Sequence, residues 1–259
     1  MFSKILSIVV IMFFSLISFG QKESMALIEG GTYIPLYGSD SMPVNVVDFK
    51  IDKYPVTNAE FKEFLEENPK WRKSNVIALF ADGNYMRHFK NDTELKEGEL
   101  QNAPMTNVSW FAAKKYCECQ GKRLPTLDEW EYVGMASEKR ADARTKDEYN
   151  KFILSWYEKP NSYNQEIGST FKNYWGVYDM HGLVWEWTQD FNSVLISGES
   201  RKDVDGSNDL FCGGAAVGSS DLMNYAAFMR YAFRGSIKAN YSVRNLGFRC
   251  AKSINKPNQ

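Results

Sequence analysis

Four cysteines and two histidines are the residue types in this chain best suited to metal or redox chemistry. The cysteines are Cys117, Cys119, Cys212 and Cys250; the histidines are His88 and His181. Two histidines rule out a His-rich zinc or iron site built from side chains alone. Soft thiolates suit copper(I), whereas an oxidising compartment turns the same thiols into disulfides. Four cysteines allow three full pairings. Cys117 and Cys119 are two apart on a predicted helix and do not face each other, so at least one must reach a distant partner. A second chemical set lies in the run DLMNYAAFMRYAFRGS, where Asp221, Tyr225, Arg230 and Arg234 offer a carboxylate, a phenol and two guanidiniums. Those groups suffice for acid–base work or anion binding; the plain alternative is a polar network bracing an irregular strand.

Between these sets runs GVYDMHGLVWEW, residues 176–187, too aromatic for an ordinary loop and too broken by glycine for a helix. Asp179 and Gly182 supply turn chemistry. Trp185 and Trp187 follow at strand spacing, with Val184 and Glu186 pointing the other way. His181, inside the turn, is expected to make a local hydrogen bond rather than bind a metal. His88, in a weakly patterned stretch, is expected to be solvent-exposed.

The elements that must position these groups are short. Residues 25–31 and 32–34 read as strand, glycine turn, strand, and 44–51 as one further strand. Thr57 with Glu60, and Thr126 with Glu129, are capping boxes. They predict helices over about 58–67 and from 126 to about 137. A helix over about 110–120 is closed by Gly121. Residues 68–105 read as a long surface excursion pinned by Trp71, Phe80, Tyr85 and Phe89. Residues 139–147 are charged and expected on the surface, and 152–157 form a short apolar piece. Residues 190–209 read as a polar loop. Residues 211–216, 229–236 and 246–252 are strand candidates.

Composition narrows the class. Residues 1–20 combine an early lysine, Lys4, an apolar run of roughly 15 residues and a small-residue end, as a secretory signal peptide does. The run is short of the ~20 residues a spanning helix needs, so a cleaved leader is expected over a membrane anchor, and a periplasmic or secreted location with it. The remainder, expected to form one domain over 25–253, has a formal net charge of −1 for the whole chain and no long basic run, which argues against nucleic acid as a partner. Aromatic residues make up 15% of the chain, enough to stiffen a scaffold poor in long helices.

Five ordered motifs carry a resemblance. They are PVTNAEF (55–61), PMTNVSW (104–110), GKRLPT (121–126) with EWEY (129–132), GVYDMHG (176–182) with WEW (185–187), and NLGFRCA (245–251). Together they resemble the formylglycine-generating enzyme (sulfatase-modifying factor) family over almost all of the mature chain. The resemblance implies a loop-rich α+β fold related to C-type lectin domains. It also implies a disulfide between Cys117 and Cys250, leaving Cys119 and Cys212 as a second disulfide or a free thiol pair. It places Asp221, Tyr225, Arg230 and Arg234 where the active groove would be, with Asn245, Trp185 and Trp187 along that groove. Glu186 matches a calcium-ligand position of the family, although Leu183 stands where asparagine is usual; calcium prefers six to eight oxygens.

Enzymes of the family oxidise a client sulfatase cysteine to formylglycine with a pair of copper(I)-binding cysteines. Here no cysteine lies between Cys212 and Cys250, and counting back from Cys250 puts the two positions on Asp221 and Ala226. Copper at that site, and formylglycine generation, are therefore not expected. The run 221–236 resembles the branch that accompanies copper nitrite reductase and the relatives acting in pyoverdine maturation. The implied role is an accessory or maturation protein for a periplasmic enzyme, acting on a protein client or a small molecule. The alternatives are an oxidoreductase of altered chemistry, as in siderophore-chromophore oxidation, and a lectin-like binding module. Accessible Asp221, Tyr225 and Arg230 would favour the oxidoreductase; the same groups buried and paired would favour the other two.

Overall fold

The computed structural model describes residues 24–36, 42–192 and 222–254. It mixes short helices and strands with long irregular connections, the α+β class expected. Among the described residues, seven strands form three small sheets. β1 (Met25–Ile28), β4 (Phe49–Asp52) and β7 (Ala251–Ser253) make an antiparallel sheet in the order β1-β4-β7. β2 (Gly31–Tyr33) pairs antiparallel with β3 (Val44–Val46). β5 (Trp185–Glu186) pairs in parallel with β6 (Leu246–Gly247), which joins the tryptophan motif to the NLGFRCA motif.

Both capping boxes form as read. Thr57 starts α1 (Asn58–Glu67) and Thr126 starts α3 (Leu127–Gly134), with side-chain and backbone bonds reciprocated in each. Ser109 caps α2 (Trp110–Cys119), and Gly121 follows it with φ +64°, the left-handed conformation glycine adopts without strain. α3 stops three residues short of the predicted 137. The carbonyl of Gly134 is taken by His181 Nε2 and by the Tyr149 hydroxyl, both approaching from outside the helix.

Three other expectations change. The single strand over 44–51 is two strands, because exposed Val47 and Asp48 turn the chain between them. The apolar piece 152–157 is the end of α4 (Asp147–Tyr157). Residues 229–236 are helical, part of α5 (Leu222–Ser236). Ala226, Ala227, Arg230, Tyr231 and Arg234 are buried, a spacing of three to four that is helical. Two arginines on the buried face disguised that period. The strand candidate at 211–216 and most of the loop at 190–209 lie outside the described residues.

The main core packs α1 and α2 against the end of the chain. Phe61, Phe64, Leu65, Tyr116, Trp187 and Phe248 lie in it with Trp71, Tyr85 and Phe89 from the 68–105 excursion. That excursion is thus pinned by its rings as expected. Cys117 and Cys250 are disulfide-bonded inside this core, Cα atoms 5.6 Å apart. Closing a loop of 133 residues is worth about 5 kcal/mol in the chain-entropy model. A second core joins the three-stranded sheet to α3 through Ile28, Phe49, Ile51, Trp130 and Val133. Among the described residues no helix is long and apolar enough to cross a membrane.

Candidate functional site

α5 brings Arg230 and Arg234 inward, one turn apart, onto a single carboxylate of α3. Arg230 donates to both oxygens of Glu131, Nε at 3.0 and 3.1 Å and Nη2 at 2.7 Å. Arg234 Nη1 donates to Glu131 Oε1 at 2.7 Å, and its guanidinium lies 4.6 Å from the centre of the Trp130 ring. All three residues are buried. Burial alone would raise the Glu131 pKa. The charges of Arg230, then Arg234, outweigh it and hold the group at about 2. Burial works against the charge on Arg230 too, and Glu131 more than restores it, so its pKa is raised.

Beside this triad runs an aromatic stack. Trp185, half-buried, is sandwiched between Tyr157 of α4 and Phe233 of α5, each 4.8 Å away centre to centre. The backbone N–H of Trp185 donates to the carbonyl of Asn245 at 2.8 Å, so half-buried Asn245 is tied to the strand pair by its main chain. Tyr225, on the first turn of α5, is half-buried. Trp187, expected along a groove, is fully buried and donates from Nε1 to Val108 O at 2.9 Å; it is core. Asp221 and Cys212 lie outside the described residues. The structure therefore brings Arg230 and Arg234 together on Glu131 and sets Trp185 against α5 through Phe233, with Asn245 reached through the Trp185 backbone.

Glu186 does not fit the calcium role expected of it. It is buried, and both its oxygens accept from Arg249, at 2.8–3.0 Å; Trp130 Nε1 donates to Oε2 at 2.7 Å. A calcium ion there would sit against a guanidinium that already neutralises the carboxylate. Asp179 is likewise engaged, holding the 168–170 turn through Gly168 N, Thr170 N and Thr170 Oγ1; its φ of +57° makes it the turn residue expected. Among the described residues no cluster of three His, Cys, Asp or Glu side chains could hold a metal ion.

Neither histidine is poised for chemistry. His181 is fully buried and donates from Nε2 to Gly134 O at 2.9 Å. Burial, then the charge of Arg230, drops its pKa to about 3. His88, expected in solvent, is buried instead. Its Nε2 lies 2.9 Å from Asn58 Oδ1, and burial, then Arg244, takes its pKa to about 3. Its neighbour Phe89 belongs to the main core, which draws the histidine in with it. Cys119 is exposed and free of a disulfide.

Two charged partners escaped notice as sites: Glu131 inside EWEY and Arg249 inside NLGFRCA. Both carried a signal. Arg249 stands between Phe248 and Cys250 in a run of core residues, and a charge forced inside needs an opposite charge.

The sequence model for the sulfatase-modifying factor enzyme 1-like domain matches residues 17–254. The serine/threonine-protein kinase pkn1 of Chlamydia pneumoniae is 29% identical over 248 residues, covering 89% of this chain and 38% of that protein. This chain thus spans well under half the length of that relative. The inactive C-alpha-formylglycine-generating enzyme 2 of Mus musculus is 26% identical over 288 residues, 92% of this chain and 89% of the relative. The formylglycine-generating enzyme of Mus musculus is 28% identical over 251 residues, 80% and 67% of the two chains. Among solved structures, PvdO from Pseudomonas aeruginosa superposes with a TM-score of 0.49 at 16% identity, covering 89% of this chain and 94% of its own. With the domain model matched along nearly the whole chain, this protein belongs to the sulfatase-modifying factor family, the family of the formylglycine-generating enzymes.

Proposed function

We propose that this chain is an exported accessory protein that binds a client or small molecule for the maturation of another periplasmic enzyme, without generating formylglycine. One observation carries the reading: the guanidiniums expected to face a groove turn inward and are held by Glu131. Arg234 and Arg230 thereby serve as a clamp between α5 and α3. Both histidines are internal, and burial holds each pKa well below the ordinary imidazole value. The absence of cysteine between Cys212 and Cys250 removes the copper thiolates on which the family reaction depends. Similarity to a relative named as an inactive formylglycine-generating enzyme runs in the same direction. The leader-like residues 1–20 and a disulfide in the core suit an oxidising compartment.

The test has two arms. The purified protein is incubated with copper(I), oxygen and a peptide bearing a sulfatase motif, and the peptide is read by mass spectrometry. An unconverted cysteine is expected; copper-dependent conversion would overturn the proposal. In the native host, cross-linking through a photoreactive residue on the outer face of α5 is expected to give discrete client adducts in the exported fraction. Adducts confined to the cytoplasm would overturn the export.

A further inference from the structure

A cleft of about 470 Å³ opens between α2 and the 70–80 segment, at the edge of the main core. Its floor is four rings in sequence. Trp71 and Phe80 are 5.8 Å apart, Phe80 and Phe111 5.2 Å, and Phe111 and Trp110 5.4 Å. Its rim is basic. Lys70, Lys114 and Lys115 border it against the single acid Glu118. Glu118 is shared by Lys114 and Lys115 at 3.4 and 3.6 Å, and Lys114 Nζ also lies 5.4 Å over the Trp110 ring. Three ammonium groups against one carboxylate leave the rim with an excess of positive charge. Ile77, on its wall, is 56% exposed.

Trp71 is core, but Phe80, Trp110 and Phe111 are only half-buried where they line the cleft, and an apolar concavity with a charged border is the form of a binding site. The rim selects an anion, since ammonium groups attract carboxylates and repel other cations. The floor selects a ring, because the half-buried faces of Phe80, Phe111 and Trp110 offer offset and edge-on aromatic packing. A single ring would leave much of the cleft and its exposed wall residue Ile77 uncovered, which selects an extended occupant. We infer that this cleft docks an acidic peptide segment of a client protein, one aromatic side chain seated on the Trp71–Phe80–Phe111–Trp110 floor and flanking carboxylates on Lys70, Lys114 and Lys115. The inference rests on the client-binding reading above and names the surface and the chemistry that reading lacks.

The experiment is a fluorescence titration, since Trp71 and Trp110 report on the cleft directly. The probe is a synthetic nonapeptide of aspartates and glutamates around one phenylalanine. Controls are its lysine-for-acid counterpart and free 3-phenylpropionate. Saturable quenching is expected with the acidic peptide, weakening as salt rises. Lys114→Glu with Lys115→Glu, on an exposed helix face, is expected to weaken binding at least ten-fold, and Ile77→Ser several-fold. The idea is overturned by no saturable signal, by equal binding of the basic peptide, or by indifference to both variants. It is also overturned if phenylpropionate binds as tightly as the peptide, or if sedimentation shows two copies of this chain covering each other's clefts. The cross-linking arm separates the two claims: adducts that persist in the charge-reversed protein leave the accessory reading standing and place the client elsewhere.

Discussion

Arg230, Arg234 and Glu131 illustrate how a buried charge is tolerated only in company. Two guanidiniums on one carboxylate offset part of the desolvation each suffers, and removing the carboxylate would leave both stranded. Glu131→Gln is therefore expected to destabilise the fold by about 3–5 kcal/mol, the usual cost of orphaning a buried ion pair; urea denaturation measures it. The buried histidines and Glu131 contribute separably to the pH dependence. His88 and His181 titrate near 6.5 when unfolded and near 3 when folded. Their stabilising contribution is complete above pH 6.5 and is lost as pH falls toward 3, at about 1.4 kcal/mol per pH unit for each histidine. Glu131 moves from 4.5 to about 2, so its contribution is intact above 4.5 and is lost only as pH falls through 2. The histidine contribution should thus begin to decline below pH 6.5, before that of Glu131 is involved. His88→Gln should roughly halve the slope of the urea midpoint between pH 6 and 5; an unchanged slope would show that His88 charges freely in the folded state.

At the scale of elements, the capping boxes were readable because their chemistry is local. Thr126 and Glu129 need only each other, and Arg123 then grips Glu129 with two bonds of 2.6 and 2.7 Å. Thr126→Ala is expected to cost about 1 kcal/mol. It should also lower hydrogen-exchange protection across α3, the helix that carries Glu131 and Trp130, while leaving α1 untouched. α5 was not readable, for the converse reason. Its face toward the core includes Arg230 and Arg234, which scan as polar until Glu131, about a hundred residues upstream, is placed opposite them. Tyr231 and Phe233 between them favour strands as readily as helices. Glu186 misled in the same manner: a carboxylate beside a turn suits calcium until Arg249, 63 residues on, is found against it. Local rules located the motifs, and long-range charge pairing decided what several of them do.

At the scale of the whole molecule, sheets of two or three short strands, as among the described residues, cannot hold together through hydrogen-bonded ladders alone. The parallel pair β5–β6, the β1-β4-β7 sheet and the aromatic core all draw on the last ten residues of the domain. Phe248 sits in the main core, Arg249 holds Glu186, Cys250 bonds Cys117, and Ala251 pairs with Ile51. The terminal strand therefore acts as a fastener, and the disulfide limits how far it can leave in the unfolded chain. Cys117→Ser is expected to cost about 2–5 kcal/mol. Because the β7 end meets the second core and Phe248 the first, the loss should be cooperative: near-ultraviolet circular dichroism of the tryptophans and far-ultraviolet helix signal should melt together, at a lower temperature. Separate transitions, with the α1–α2 core surviving after β7 is released, would instead show that the two cores are stable independently and that the fastener serves only the sheet.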